Sequence, residues 1–348
     1  MTPRKSAALL REALTDCLQA LDAGDHPRAR AFAGRAATLT DGLGSLAQAN
    51  TLLVTGIVDH AVGEAATAVG RFTEAAELSA KYLCKPQGIQ LFLHARRELA
   101  ALHRVHGRYL RAEEILHEAL AIVDDHEPAP EDLALFHNEF GMVCKYSGNF
   151  ERAAASYDIA LTLLETSDTV DDVGLADIYH NIGGLAHARG DYAAAEAPAR
   201  RAVAIRERAL SPTHPEVAAD RAALAPILMG LGRLEEAEVL LRDAMATFET
   251  AYGPAHYDYV IALGNLAALI HQLGRHETAE DLYQQTLNAL EKSLGPEHPD
   301  LAPVLANLAD LQRTLGNPER ARTLDTRAGT ILTSAVRAGH PTLDALNK

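Results

Sequence analysis

Two histidine–glutamate pairs carry the most chemistry in this sequence of 348 residues: His60 with Glu64, and His94 with Glu98. A spacing of four puts both members of a pair on one face of a helix. Imidazole with carboxylate is the ligand set of zinc, manganese or non-haem iron, and the same spacing also makes an ordinary solvated ion pair. Arg97, with Arg104 or Lys145, offers donors suited to a carboxylate. Gly183 and Gly184 leave room beside His180 for a ligand to approach the backbone. No Ser-His-Asp or Cys-His spacing and no phosphate-cradling glycine loop can be read, so no catalytic residue is assigned. Cys144 reads as a packed core residue.

The elements that must position these groups repeat. Gly24, Gly70, Gly107, Gly148, Gly190, Gly232, Gly274 and Gly316 head similar segments, the last four intervals being 42 residues each. An alanine stands five positions after every one, from Ala29 and Ala75 to Ala321, and a small residue seven before, among them Cys17, Gly63, Gly141 and Gly183. This pattern predicts helical hairpins: small residues at the crossing let two backbones approach, and the glycine ends the first helix in a left-handed conformation. Apolar residues such as Leu99, Phe140 and Leu308 precede the small ones, with Asp16 departing in the first repeat, as terminal repeats do. Pro198 and Pro226 are candidate kinks. Gly295, Pro296, Pro299 and Asp300 suit a helix stop followed by a helix start. His214, His256, His298 and His340 recur every 42 residues, which favours a structural job in each linker.

The sequence of small residue, glycine and alanine resembles the tetratricopeptide pattern. The 42-residue period and the stretch from Leu294 to Leu311 are similar to kinesin-light-chain repeats. The resemblance covers nearly the whole chain, most strongly Asp177 to Ala328. It implies an all-α fold, a right-handed superhelical solenoid of about eight hairpins forming a single domain. Within it, residues 1–50 read as a divergent capping repeat, 51–165 as irregular repeats two to four, 166–334 as regular repeats five to eight, and 335–348 as a tail.

Positions 13, 10, 9 and 6 before each glycine follow helical spacing and mark the inner face of each first helix. In the last three repeats this stripe is bland, holding residues such as Ala219, Ala222, Gly264 and Ala306. Repeats two to five place polar groups there: His60 and Glu64; His94, Arg97 and Glu98; Asn138 and Glu139; Asp177, His180 and Asn181. The resemblance implies that these positions on adjacent first helices converge on one ligand in a concave groove, the two His/Glu pairs facing each other. It also implies a peptide-backbone role for Asn181, Asn265 and Asn307, a position where Glu98 and Glu139 stand in repeats three and four. The leading expectation is a scaffold or adaptor that binds a peptide or protein segment through repeats two to five. The alternative is a metal-dependent enzyme or small-molecule-binding protein in the same groove. There His60, Glu64, His94 and Glu98 would hold a first-row divalent metal such as Fe, Zn or Mn, and Arg97 or His180 would orient a substrate.

Charge narrows the partner. A formal net charge of −15 without Lys/Arg clusters argues against nucleic acid and for a basic or neutral partner. Three widely spaced cysteines suggest neither disulfides nor a paired-Cys metal site, and fit a reducing cytoplasm. Charges at Arg11, Glu12 and Asp16 interrupt any signal-peptide core, and no apolar stretch approaches the ~18 residues of a membrane span.

Overall fold

The computed structural model describes residues 3–167 and 172–346. Residues 168–171, inside the stretch expected to be regular, and the last two residues of the expected tail lie outside them. Among the described residues the secondary structure is helical throughout: α1 (Pro3–Asp22), α2 (His26–Leu39), α3 (Ser45–Ala61), α4 (Ala65–Ala80), α5 (Pro86–Val105), α6 (Tyr109–Val123), α7 (Pro130–Ser147), α8 (Phe150–Glu165) and α9 (Asp172–Ala188). There follow α10 (Tyr192–Ala209), α11 (Pro215–Gly230), α12 (Leu234–Tyr252), α13 (Tyr257–Gln272), α14 (His276–Leu294), α15 (Leu301–Thr314), α16 (Pro318–Thr333) and α17 (Pro341–Leu346). The helices alternate as first and second members of eight hairpins, with α17 following the last. The chain divides into two compact units, residues 1–143 and 144–348, and the division falls within α7.

The hairpins form for the reasons their sequence gives. At seven of the eight ladder positions the glycine ends its hairpin's first helix with positive φ, for example +70° at Gly24 and +88° at Gly148, a conformation costly for any residue with a Cβ. The next residue opens the second helix, and where it is Asp25, Asn149 or Asp191 its side chain accepts a backbone N–H three residues on. The alanine five positions after the glycine is fully or almost fully buried in every hairpin, as at Ala29, Ala153 and Ala237. Close approach explains the small residue: a Cβ on Gly183 would sit 3.1 Å from the Cβ of Ala199. The helices run unbroken through Pro198 and Pro226.

The second hairpin corrects the register. Gly70 lies inside α4, and the turn is made by Gly63, with φ of +83°. Its crossing residue is Gly56, where a Cβ would stand 2.7 Å from the ring of Phe72, and its alanine is Ala68, fully buried. Counted from Gly63, the first intervals become 39 and 44 residues in place of 46 and 37, closer to the 42 of the later hairpins.

Each unit has its own core. In the first, Phe72, Leu93, Leu102, Ile115, Phe136 and Phe140 are almost wholly buried; in the second, Tyr157, Ile178, Phe248 and Tyr283 are. Burial of each such side chain contributes on the order of 1.5–3 kcal/mol.

The linker histidines have the structural job expected of them. The Nδ1 atoms of His214, His256, His298 and His340 accept the N–H groups of Glu216, Asp258, Asp300 and Thr342, at 3.2 to 3.4 Å. Each histidine thereby satisfies a donor that the start of a helix leaves without an intrahelical partner.

Candidate functional site

In the first unit the polar side chains of α5 and α7 form one cluster. His94 and Glu98, four residues apart on α5, meet as expected, with Nε2 3.3 Å from Oε1, and Arg97 donates to the same oxygen at 3.0 Å. Burial of Glu98 opposes its charge, but the His94 hydrogen bond and the Arg97 charge outweigh it and bring the carboxyl down to about 2. About two turns further on, Arg104 forks onto Glu139 of α7, donating from Nε at 2.7 Å and from Nη2 at 3.3 Å. Glu139 is 5% exposed, and burial pushes its carboxyl up against the pull of Arg104. Arg97 and Glu98 also act on Glu139 electrostatically, so the two pairs form one array. Asn138 adjoins Glu139 on α7 and is half-buried.

His60 and Glu64 separate. α3 ends at Ala61, so a spacing of four no longer means one helix face; Glu64 opens α4, is exposed, and pairs with Arg30 of α2 at 2.6 Å. With the register corrected, the inward stripe of α3 is Asn50, Leu53, Val54 and Ile57, of which Leu53 and Val54 are buried. His60 falls three residues before the turn glycine, the position of Arg104, Lys145, His187 and His271 in later hairpins. Burial pushes the His60 ring down, while the charge of Glu98 pulls it up. The set His60, Glu64, His94 and Glu98 therefore does not fit a metal: one member belongs to another ion pair and Glu98 is held by a guanidinium. Among the described residues no three His, Cys, Asp or Glu side chains are grouped to hold one.

In the second unit the polar positions of α9 serve a different network. Arg206 of α10, 4% exposed, donates to Asp177 at 2.7 Å, to Glu216 at 2.9 Å and to Asp220 at 2.7 Å. The other oxygen of the buried Asp220 meets Nδ1 of His180 at 2.8 Å. Burial disfavours the guanidinium charge, and Asp220 and Asp177 hold it on regardless; burial likewise raises the Asp177 carboxyl against the hydrogen bond from Arg206. Asn181 is buried. The room expected beside His180 is taken: Gly183 packs on Ala199, and a Cβ on Gly184 would be 3.3 Å from the Lys145 ammonium. Burial and the Lys145 charge both depress the ring of His187.

Arg206 and Asp220 were legible as anomalies of register. Sixteen residues after the turn glycine the third, sixth, seventh and eighth hairpins carry Val123, Phe248, Leu290 and Leu332, all buried, where the fifth has Arg206. Twelve residues before it the third, fourth, fifth, seventh and eighth carry Ala95, Phe136, Ile178, Ala262 and Val304, where the sixth has Asp220. Two opposite charges standing in rows that are apolar in the neighbouring hairpins signal a buried pair.

The profile of the tetratricopeptide repeat matches four overlapping stretches, 131–208, 174–250, 218–292 and 258–334. No curated protein matches the sequence. A Rap protein complexed with competence and sporulation factor is 13% identical, the match covering 96% of this chain and 99% of that one with a TM-score of 0.65. The apo form of RapI is 14% identical over 81% of this chain and 98% of its own, with a TM-score of 0.62. BtubC from P. vanneervenii is 20% identical over 66% and 91%, with a TM-score of 0.45. Among the described residues no helix is long and apolar enough to cross a membrane.

Proposed function

Because the chain belongs to the tetratricopeptide repeat family, we propose that it captures a peptide or protein segment along the first helices of its hairpins. The observation that carries this reading is the array on α5 and α7, where His94, Arg97, Glu98, Arg104 and Glu139 are joined by hydrogen bonds and ion pairs. Polar groups locked in this way present donors and acceptors at fixed positions, which lowers the entropic cost of ordering a wall around a ligand. The corresponding stripe in the last three hairpins offers mainly Ala, Gly, Pro and Asn. Asn138 extends this wall on α7 within the first unit. The Rap protein of similar fold is complexed with competence and sporulation factor, which supports the capture of a ligand by such an array of hairpins.

The net charge of −15 favours a basic or neutral segment over an acidic one and disfavours nucleic acid. Three free cysteines support a reducing compartment, the cytoplasm. Selection of short random peptides on the immobilised full chain, followed by titration of the selected sequences, tests the reading. Arg97→Glu should weaken binding at least tenfold with helicity unchanged, whereas Val239→Glu, on the exposed side of α12, should leave it unaltered. Selected peptides that bind the Arg97→Glu chain as tightly as the wild type would refute it.

A further inference from the structure

Hairpins stacked in a row ordinarily touch only their neighbours, yet in the second unit the segment after the last hairpin returns to the turn between α7 and α8. The Arg337 N–H donates to the carbonyl of Ser147 at 2.8 Å. Three residues on, the ring of His340 lies over Gly148, where a Cβ would meet its Cδ2 at 2.9 Å, and stands edge-on to Phe150 with centroids 6.0 Å apart. Ala335 and Val336, which lead into the segment, are buried, and Gly339 turns it with φ of +85°. These contacts bridge residues about 190 positions apart, so they close the second unit upon itself.

The residue at the centre of the closure differs from its three counterparts. All four linker histidines cap a helix through an unprotonated Nδ1, an acceptor that imidazolium loses. In the first three a carboxylate stands two residues on, Glu216, Asp258 or Asp300, and Asp258 and Asp300 lie 3.6 and 3.7 Å from their histidine Nδ1 atoms. A protonated ring there exchanges its cap for an ion pair. At His340 that position is Thr342. We propose that residues 335–346 are a strap closing the second unit, and that it releases when His340 takes a proton.

Among the described contacts, Gly148 and Phe150 of the α7–α8 turn meet the ring, and neither is titratable; from its own helix Asp344 acts on it. Burial lowers the ring, and Asp344 only partly offsets that. The sign follows: the closed state binds fewer protons than the open one, so closure is complete above the ordinary histidine value of 6.5 and weakens as pH falls below it.

Hydrogen–deuterium exchange of the full chain at pH 7.5 and 5.5, corrected for the intrinsic pH dependence of exchange, tests the proposal. The Arg337 amide should be protected at pH 7.5 and lose about tenfold or more of that protection at pH 5.5. His340→Gln, which keeps an acceptor but takes no proton, should hold the protection at both. A chain ending at Ser334 removes the strap outright, and its residues 144–153 should exchange faster at both pH values than those of the wild type at pH 7.5. Equal exchange of the Arg337 amide at the two pH values in the wild type overturns the proposal, as does a loss at pH 5.5 that persists in His340→Gln, or a turn that exchanges no faster once the strap is gone.

Discussion

The wall of the first unit and that of the second use the same register positions for different ends. Thirteen and ten residues before the turn glycine stand His94 and Arg97 in the third hairpin, and Asp177 and His180 in the fifth. On α5 these side chains interact with a residue of their own helix, and the next pair along joins it to the first helix of the adjacent hairpin. On α9 they are engaged from behind: Arg206 rises from the second helix α10, and Asp220 comes from α11, so that three helices are pinned by one guanidinium. A position in the repeat is therefore not functional or structural by itself. What decides is whether the second helix beneath it supplies a counter-charge.

Breaking the second network should have the largest consequence. Arg206→Met leaves the buried carboxylate of Asp220 without its cation, and should destabilise the chain by about 3–5 kcal/mol, read from urea unfolding followed by helical circular dichroism. A loss below about 1 kcal/mol would mean that the network is solvated and that α9 is as available to ligand as α5.

The pH dependence of the first cluster comes next. The Glu98 carboxyl is held at about 2 against an ordinary 4.5, so its contribution is present above pH 4.5 and is lost as pH falls from there towards 2. The side chain is 22% exposed, and roughly 2–3 kcal/mol is expected after allowing for partial solvation. Glu98→Gln should flatten the acid limb of a stability–pH profile over that window; an unchanged limb would place the acid sensitivity elsewhere. Arg104→Met should cost somewhat less, about 1–3 kcal/mol, because Glu139, already raised by burial, relieves itself by taking a proton. That cost should grow as pH rises above the ordinary carboxylate value of 4.5, and a flat profile would show that Glu139 stays ionised without its arginine.

The smallest effect should be at Glu64. Its pair with Arg30 is exposed on both sides, so Glu64→Gln should change stability by less than about 1 kcal/mol and leave peptide binding unaltered. A marked loss of binding would return Glu64 to the wall from which the structure removes it.

Glu64 also shows where sequence reasoning reached its limit. Glycines at 56, 63 and 70 are spaced by seven, and alanines follow both Gly63 and Gly70 by five, so two frames of the repeat fit equally well locally. Only backbone conformation separates them: Gly63 has positive φ, and Gly70 is helical. A glycine one helical heptad out of place moved His60 and Glu64 onto a wall that is made instead of Leu53 and Val54. The His94–Glu98 contact needed only spacing within one helix, and was legible for that reason. The Arg206 network needed a second helix to be laid beneath the first. Arg206 stands behind the inward first-helix positions, in a row that is apolar in the later hairpins. The hairpins themselves, all eight, were written in glycine and alanine.

The claim that the α5–α7 wall receives the ligand is tested most directly by hydrogen–deuterium exchange of the full chain with and without a saturating selected peptide. Bound peptide should slow exchange across α5 and α7, with a smaller effect on α9, and leave α12, α14 and α16 as they are. Slowing confined to those second helices, with α5 and α7 unchanged, would contradict the account.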